Sequence, residues 1–315
     1  MKYCFLILNY MAVNETIGCI KSIQNNYCAY DYYVVVVDNG STNNSVQILK
    51  KFFIEDKRIY IISQNKNLGF AQGNNVGYRW CKEKLNPDFI IICNSDIIFQ
   101  QKDFLKLTTE KYEYYKFDVM GPDIQRKISG DTVHQNPHAL FLESGDDVLN
   151  SIKENELVIS RLKNSILYRN KFIIINYFQH VKEGVKSTFP AIVSGIRKIK
   201  KNRSVTNNIW KTERLDCVLH GSCLIFSKKY IDKHEEAFYP FTFLYGEEKI
   251  LYFLLKKENG IMLYTPDLMV IHKHGASTKL VNKKIVNNEL FRRENSLKSL
   301  QILFSLINKQ ENTKE

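Results

Sequence analysis

The sequence predicts an α/β fold with a mainly parallel sheet flanked by helices. Strand and helix signals alternate through the first 124 residues, the pattern of successive β-α units. The strand candidates are short continuous apolar runs such as Val34 to Val37, the kind buried on both faces of a sheet. Polar and acidic residues stand directly after those runs, at the edge where open α/β sheets bind ligands.

In order, residues 3–8 read as a strand that stops at Asn9, and residues 14–24 as a helix capped by Asn14 or Thr16. Residues 32–37 form a second strand, followed by an Asp38-Asn39-Gly40 turn and a helix over 45–53. Residues 59–63 give a third strand. A polar, glycine-rich loop over 65–77 then opens a helix ending near Lys84. The turn at Asn86-Pro87-Asp88 leads into a strand over 89–93, and Asn94, Ser95 and Asp96 sit at its carboxyl end.

The pattern blurs between 125 and 214 and returns with a strand at 217–226, a helix at 247–257 and a strand at 262–271. Residues 286–308 carry Leu290, Leu297, Leu300, Phe304 and Ile307 at helical spacing, a helix for the core or a surface.

The chain of 315 residues is 44% apolar, enough for one large domain or two modest ones. Its seven cysteines are odd in number and scattered, and they read as free thiols in a reducing, cytoplasmic compartment. The first strand is too short for a signal sequence, and no apolar run reaches the roughly 20 residues of a membrane span. The net charge is +12. Most of it lies in residues 151–214, with 14 Lys and Arg against 4 Glu and no Asp. Such a stretch fits a polyanion or an anionic membrane surface, or equally a solvated insert near a subunit interface, with a homodimer as a further expectation.

Five segments carry candidate chemistry, each with a plainer alternative. Asp38 at a strand end is placed to accept from a uracil or thymine imide, though Asp-Asn-Gly is also an ordinary turn. Asn94 and Asp96 project to the same side of an extended segment as oxygen ligands for Mg²⁺ or Mn²⁺, or they simply end the strand. Asn67, Gly69, Asn74 and Asn75 belong to a segment whose glycines and amides suit phosphate or sugar hydroxyls, or helix capping. Glu247 and Glu248 open a helix beside aromatics, as a general base or as acids that suit the helix dipole. His272, Lys273, His274 and Ser277 follow a strand, where one imidazole would complete a metal site and Lys273 and Ser277 would contact phosphate, or the two histidines are simply a solvent-exposed pair. Histidines 134, 138, 180, 220 and 234 read as structural.

Together these segments resemble the family 2 glycosyltransferases of GT-A fold, especially their rhamnosyltransferase-like branch in bacterial surface polysaccharide synthesis. The resemblance covers residues 3–122 and 215–277. It implies that Asp38 binds the base, that the run Asn67 to Gly77 lines the donor pocket with Asn9, and that Asn94-Ser95-Asp96 is the family's D-x-D, with Asp96 and His272 holding the cation. The family's acidic pair falls on Glu247 and Glu248, and Glu stands where Asp is usual, so Glu248 is the expected base and Glu247 the alternative. The implied reaction is an inverting displacement from a UDP- or dTDP-sugar onto a hydroxyl of a growing surface glycan or its lipid-linked precursor, at the inner face of a membrane.

The resemblance divides the chain into a nucleotide-sugar half (1–124), a basic and partly helical insertion (125–214), an acceptor and catalytic half (215–280) and a C-terminal helix and tail (281–315). Two rivals are a sugar nucleotidyltransferase, which needs a basic glycine-rich loop where Asn9-Tyr10-Met11-Ala12 stands, and a polyanion-binding protein, which needs no acidic strand ends. No nucleic-acid partner is expected.

Overall fold

The computed structural model describes residues 1–128, 130–176, 208–273 and 285–311. Its centre is a sheet in the order β3-β2-β1-β4-β9-β6-β10-β5, with β7 paired to β6 and β8 to β10. The strands are β1 (Lys2–Asn9), β2 (Asp31–Asp38), β3 (Ile59–Ser63), β4 (Phe89–Asn94), β5 (Ile97–Ile98), β6 (Val119–Ile128), β7 (Asp131–His134), β8 (Arg214–Leu215), β9 (Cys223–Ser227) and β10 (Met262–His272). The first four strands of the order β3-β2-β1-β4 are parallel, β9 is antiparallel to β4 and β6, and β10 is parallel to β6. β6 runs through the expected division at residue 124, so both halves share one sheet.

Alternate side chains of the central strands feed two separate cores. Phe5, Ile7, Val34, Val36 and Ile91 pack on one face, and Cys4, Leu6, Val35, Val37 and Ile92 on the other. Burial on both faces is why these strands read as unbroken apolar runs. α1 (Val13–Tyr27) contributes Cys19, Ile20 and Ile23 to the first core, alongside α2 (Ser45–Phe52) through Leu49 and α4 (Phe104–Tyr115) through Phe104. No side chain caps α1, contrary to the expected roles of Asn14 and Thr16. Thr16 lies one turn inside, and its hydroxyl reaches Asn9 Oδ1 (2.8 Å) and Ala12 O (2.9 Å).

The segment expected as a glycine-rich loop is mostly helix, α3 (Gly69–Trp80), extended by a wide turn over Cys81–Leu85. The glycines serve packing. A Cβ on Gly77 would stand 2.2 Å from Leu6 Cδ1 and one on Gly73 2.7 Å from Leu8 Cδ1, so α3 lies against the sheet at a distance no larger residue permits.

β9 is shorter than the expected strand over 217–226. Residues 217–222 leave the sheet, with Val218 bridging Ala139 and Asn136 Oδ1 accepting from the His220 amide (2.7 Å). In the blurred middle, α5 (Gly145–Asn164) is opened by a Ser144–Asp147 capping box. After β9 come α6 (Lys228–Lys233) and α7 (Glu247–Lys257), and the C-terminal helix is α8 (Ile285–Glu311). A third core joins Val148 and Ile152 of α5, Ile250 of α7, and Leu300 and Leu303 of α8, so α8 packs onto the body of the protein. All seven cysteines are free, with only Cys28 exposed. Among the described residues no helix is long and apolar enough to cross a membrane.

Candidate functional site

The pairing register aligns the carboxyl ends of three strands. Asn9 sits opposite Asp38, and Leu8 opposite Asn94, so Asp38, Asn9 and Asn94 share one edge of the sheet. The Asp38 carboxylate is held there, accepting from Asn9 Nδ2 (2.6 Å) and the Ser41 amide (2.9 Å). Next to it, Asn39 ties β2 to the start of α3. Its Nδ2 donates to Asn67 Oδ1 and Gly69 O, both at 3.0 Å, while its Oδ1 accepts from the Leu68 amide (2.9 Å). Asn67 Oδ1 in turn accepts from the Gly69 amide (2.8 Å). Gly69 has a positive φ of 81°, and a Cβ there would lie 2.2 Å from Phe243 O; that carbonyl accepts from the Phe70 amide. The loop before α7 is thereby docked on the start of α3.

Beyond β4, the chain turns at Ser95 and Asp96 and returns as β5, which pairs antiparallel with the end of β10 so that His272 stands opposite Ile97. This brings Asp96, only 7% exposed, against His272, with His272 Nε2 3.2 Å from Asp96 Oδ1. The other ring nitrogen of His272 bonds Gln135 Oε1 at 2.7 Å, and the Lys273 amide donates to Asp96 O (2.9 Å). Two residues 176 positions apart in the sequence thus form one pair at the sheet edge.

The acidic pair sits at the start of α7, behind consecutive positive φ values at Tyr245 (72°) and Gly246 (92°) that turn the chain sharply into the helix. A Cβ on Gly246 would stand 3.1 Å from Ser299 Cβ, so α8 closes over this turn. The two carboxyls have different surroundings. Glu247 is buried; burial first and then the neighbouring Glu248 charge push its pKa up to about 8, against hydrogen bonds from its own amide, Thr242 and the Tyr245 amide. Among the described residues nothing bonds its Oε1. Glu248 is half-buried. A Cβ built on Gly221 would be 3.8 Å from Glu248 Oε2 and 3.8 Å from the Phe70 ring.

The raised pKa of Glu247 has a consequence for stability. Between the ordinary carboxylate value near 4.5 and about 8 the folded chain keeps a proton that the unfolded chain releases, so this group's contribution to stability falls as pH rises through that window. Glu247→Gln removes the effect. Denaturant titrations at pH 5 and pH 8 are expected to show the variant gaining on the wild type by about 1.4 kcal/mol per pH unit at most, whereas a pH-independent difference would mean that Glu247 ionises normally.

His220, read from the sequence as structural, lies between the two halves of the site. Its ring centroid is 6.2 Å from that of His272, and it directly precedes Gly221. Burial first, then the His138 and His272 charges, lower its pKa to about 3, so it is neutral. Its Nδ1 accepts from the Ser222 amide (3.2 Å), which leaves the hydrogen on Nε2. No pattern of spacing marks His220 or Gln135 in the sequence, because both are set by loops that leave the sheet.

The structure therefore brings Asn9, Asp38, Asn67, Gly69, Asn94, Ser95, Asp96, Glu248 and His272 to one sheet edge and the loops over it. It turns other candidates inward. Asn75 clamps the Phe238 backbone, donating to its O (2.7 Å) and accepting from its N–H (2.9 Å), and Asn74 Nδ2 donates to Phe70 O within α3. Both amides are buried in helix packing. Ser277 and His274 lie outside the described residues.

This arrangement can be set beside known proteins. Residues 4–187 match Glycosyl transferase family 2. Over 132 residues the chain is 26% identical to the low-salt glycan biosynthesis hexosyltransferase Agl10 of Haloferax volcanii, covering 42% of this chain and 39% of that protein. It is 30% identical over 106 residues to the glycosyltransferase GlyG of Streptococcus pneumoniae, covering 31% of this chain and 34% of that protein. These matches span well under half the length of either relative. An uncharacterized glycosyltransferase of Haemophilus influenzae is 20% identical over 264 residues, 78% of this chain and 91% of that protein. In fold the chain is similar to S. aureus TarS 1-349, with a TM-score of 0.50, 13% identity, and 93% and 72% of the two chains covered. The family match runs over more than half of the sequence, and the chain belongs to glycosyl transferase family 2.

Proposed function

We propose that this protein transfers a sugar from a UDP- or dTDP-sugar to a hydroxyl of a growing bacterial surface glycan or its lipid-linked precursor, inverting the anomeric carbon, as in the rhamnosyltransferase-like branch. The observation that carries the reading is the contact of Asp96 with His272 at the edge that also holds Asp38, with the Glu248 carboxylate beside Gly221. A base, a sugar diphosphate and an acceptor need that succession of groups.

Asp38 binds the uracil or thymine, positioned by Asn9 and the Ser41 amide. Glu248 takes the proton of the acceptor hydroxyl as it attacks, and Glu247 stays neutral beside it so that the two carboxyls do not compete for charge. Mg²⁺ or Mn²⁺ fits the donors present: one carboxylate oxygen and one imidazole nitrogen 3.2 Å apart, with the far side of the ring already bonded. Asp96 and His272 would hold it, and no third His, Cys, Asp or Glu joins them among the described residues. Such an ion, when bound, offsets the charge that grows on the departing diphosphate. TarS, similar in fold, was solved in complex with UDP, so a uridine donor is the first to try.

A thermal-shift screen of UDP-, dTDP- and GDP-sugars with and without Mn²⁺ tests the reading. Stabilisation by a UDP- or dTDP-sugar, with hydrolysis of the same compound, is expected; no stabilisation by any of them would overturn it.

The basic stretch at 196–203 lies outside the described residues. Earlier in the chain, the exposed Ile166, Leu167 and Ile174 are interspersed with Arg169 and Lys171, which supports peripheral attachment to an anionic membrane face. Sedimentation with anionic against neutral vesicles checks this, with equal binding to both sinking it.

A further inference from the structure

The end of β7 and the two residues after it carry three successive side chains, and each is committed. His134 Nδ1 bonds the Asp123 carboxylate at 2.9 Å while its ring stacks on Trp210 at 3.5 Å. Asn136 donates to Pro122 O (2.8 Å) and accepts from the His220 amide (2.7 Å). Gln135 stands between them, its amide bonded to Ile124 O (2.9 Å) and its side-chain oxygen on His272 Nδ1 (2.7 Å). A side chain flanked by two such anchors has little freedom to leave its partner.

We propose that Gln135 is the positioning residue of the Asp96–His272 pair: by accepting from His272 Nδ1–H it places the Nε2 lone pair toward Asp96, ready to bind a divalent cation. The physical reason is that an imidazole carries one lone pair when neutral, and the partner of one nitrogen decides which nitrogen holds it. Without an acceptor at Nδ1, the ring is free to put its hydrogen on Nε2, where it bonds Asp96 and closes the pair to a metal. The inference rests on the reading of Asp96 and His272 as ligands.

The test uses Mn²⁺ in the presence of UDP, with affinity read by calorimetry and the His272 tautomer by ¹⁵N NMR of the imidazole. Gln135→Leu is expected to weaken Mn²⁺ binding about 10- to 100-fold and to move the proton from Nδ1 to Nε2. Gln135→Glu, which can only accept, is expected to bind Mn²⁺ within a few-fold of wild type. Unchanged affinity in Gln135→Leu, or a Gln135→Glu as weak as it, overturns the proposal; the second result would mean that the amide donates rather than accepts. If the wild type itself binds no Mn²⁺ with UDP, the ligand reading fails instead, and the two failures are told apart by that control.

Discussion

Replacing Glu248 with Gln is expected to lower kcat by roughly 10²- to 10⁴-fold, the usual contribution of a general base, while the nucleotide-sugar still stabilises the protein. Gln keeps the shape of the side chain beside Gly221 and Phe70 but cannot take a proton. The donor groups at Asp38, Asp96 and His272 are untouched, so KM for the donor should hardly move. Glu247→Gln is the internal control. Glu247 is buried and already neutral at pH 7, so an amide there should leave much of the activity in place. The opposite pattern, with Glu247→Gln inactive and Glu248→Gln active, would transfer the base to Glu247. Single-turnover rates measured for both variants across pH 6 to 9 separate the two assignments.

The second large effect belongs to Asp96. Asp96→Ala removes the carboxylate paired with His272 and leaves His272 alone of the two expected cation ligands. Stabilisation by a donor at about 100 times its Kd, about 2.7 kcal/mol, should disappear in the variant. Transfer should fall by roughly 10²-fold or more, the scale seen when one group that stabilises a developing anion is lost. Asp96 is buried, so the fold of the variant must be checked by its unfolding midpoint without ligand. A variant that is folded and still stabilised by nucleotide with Mn²⁺ would remove Asp96 from the site.

Much of the candidate site is legible in the sequence because it lies at strand ends. A strand such as Val34 to Val37 is buried on both faces, so its composition announces it, and the residue that follows must sit at the sheet edge. That logic places Asp38 and Asp96 directly. The same reasoning misjudged the segment from Asn65 to Gly77. Glycine and asparagine signal a loop when only local preference is weighed, but here Asn39 and Asn67 satisfy the first amides of α3, and Gly77 lets the helix press onto Leu6. Tertiary contact outweighed propensity. The strand expected at 217–226 was cut short for a related reason, since Asn136 and Ala139 capture residues 218–220 away from the sheet.

The alternating pattern of the chain by itself determined the α/β class, the strands of the nucleotide half, the helix that begins at Glu247 and the strand-end candidates Asp38 and Asp96, because periodicity and strand-end position are local properties of sequence; the preference for Glu248 and His272 came from the resemblance to family 2 glycosyltransferases. Only the tertiary structure decided which carboxyl of the adjacent pair is buried and neutral, that Asn75 serves packing, that His220 stands between the two halves and that Gln135 holds His272. Those outcomes depend on burial and on contacts between residues far apart in the chain, and neither is encoded in the spacing of neighbours.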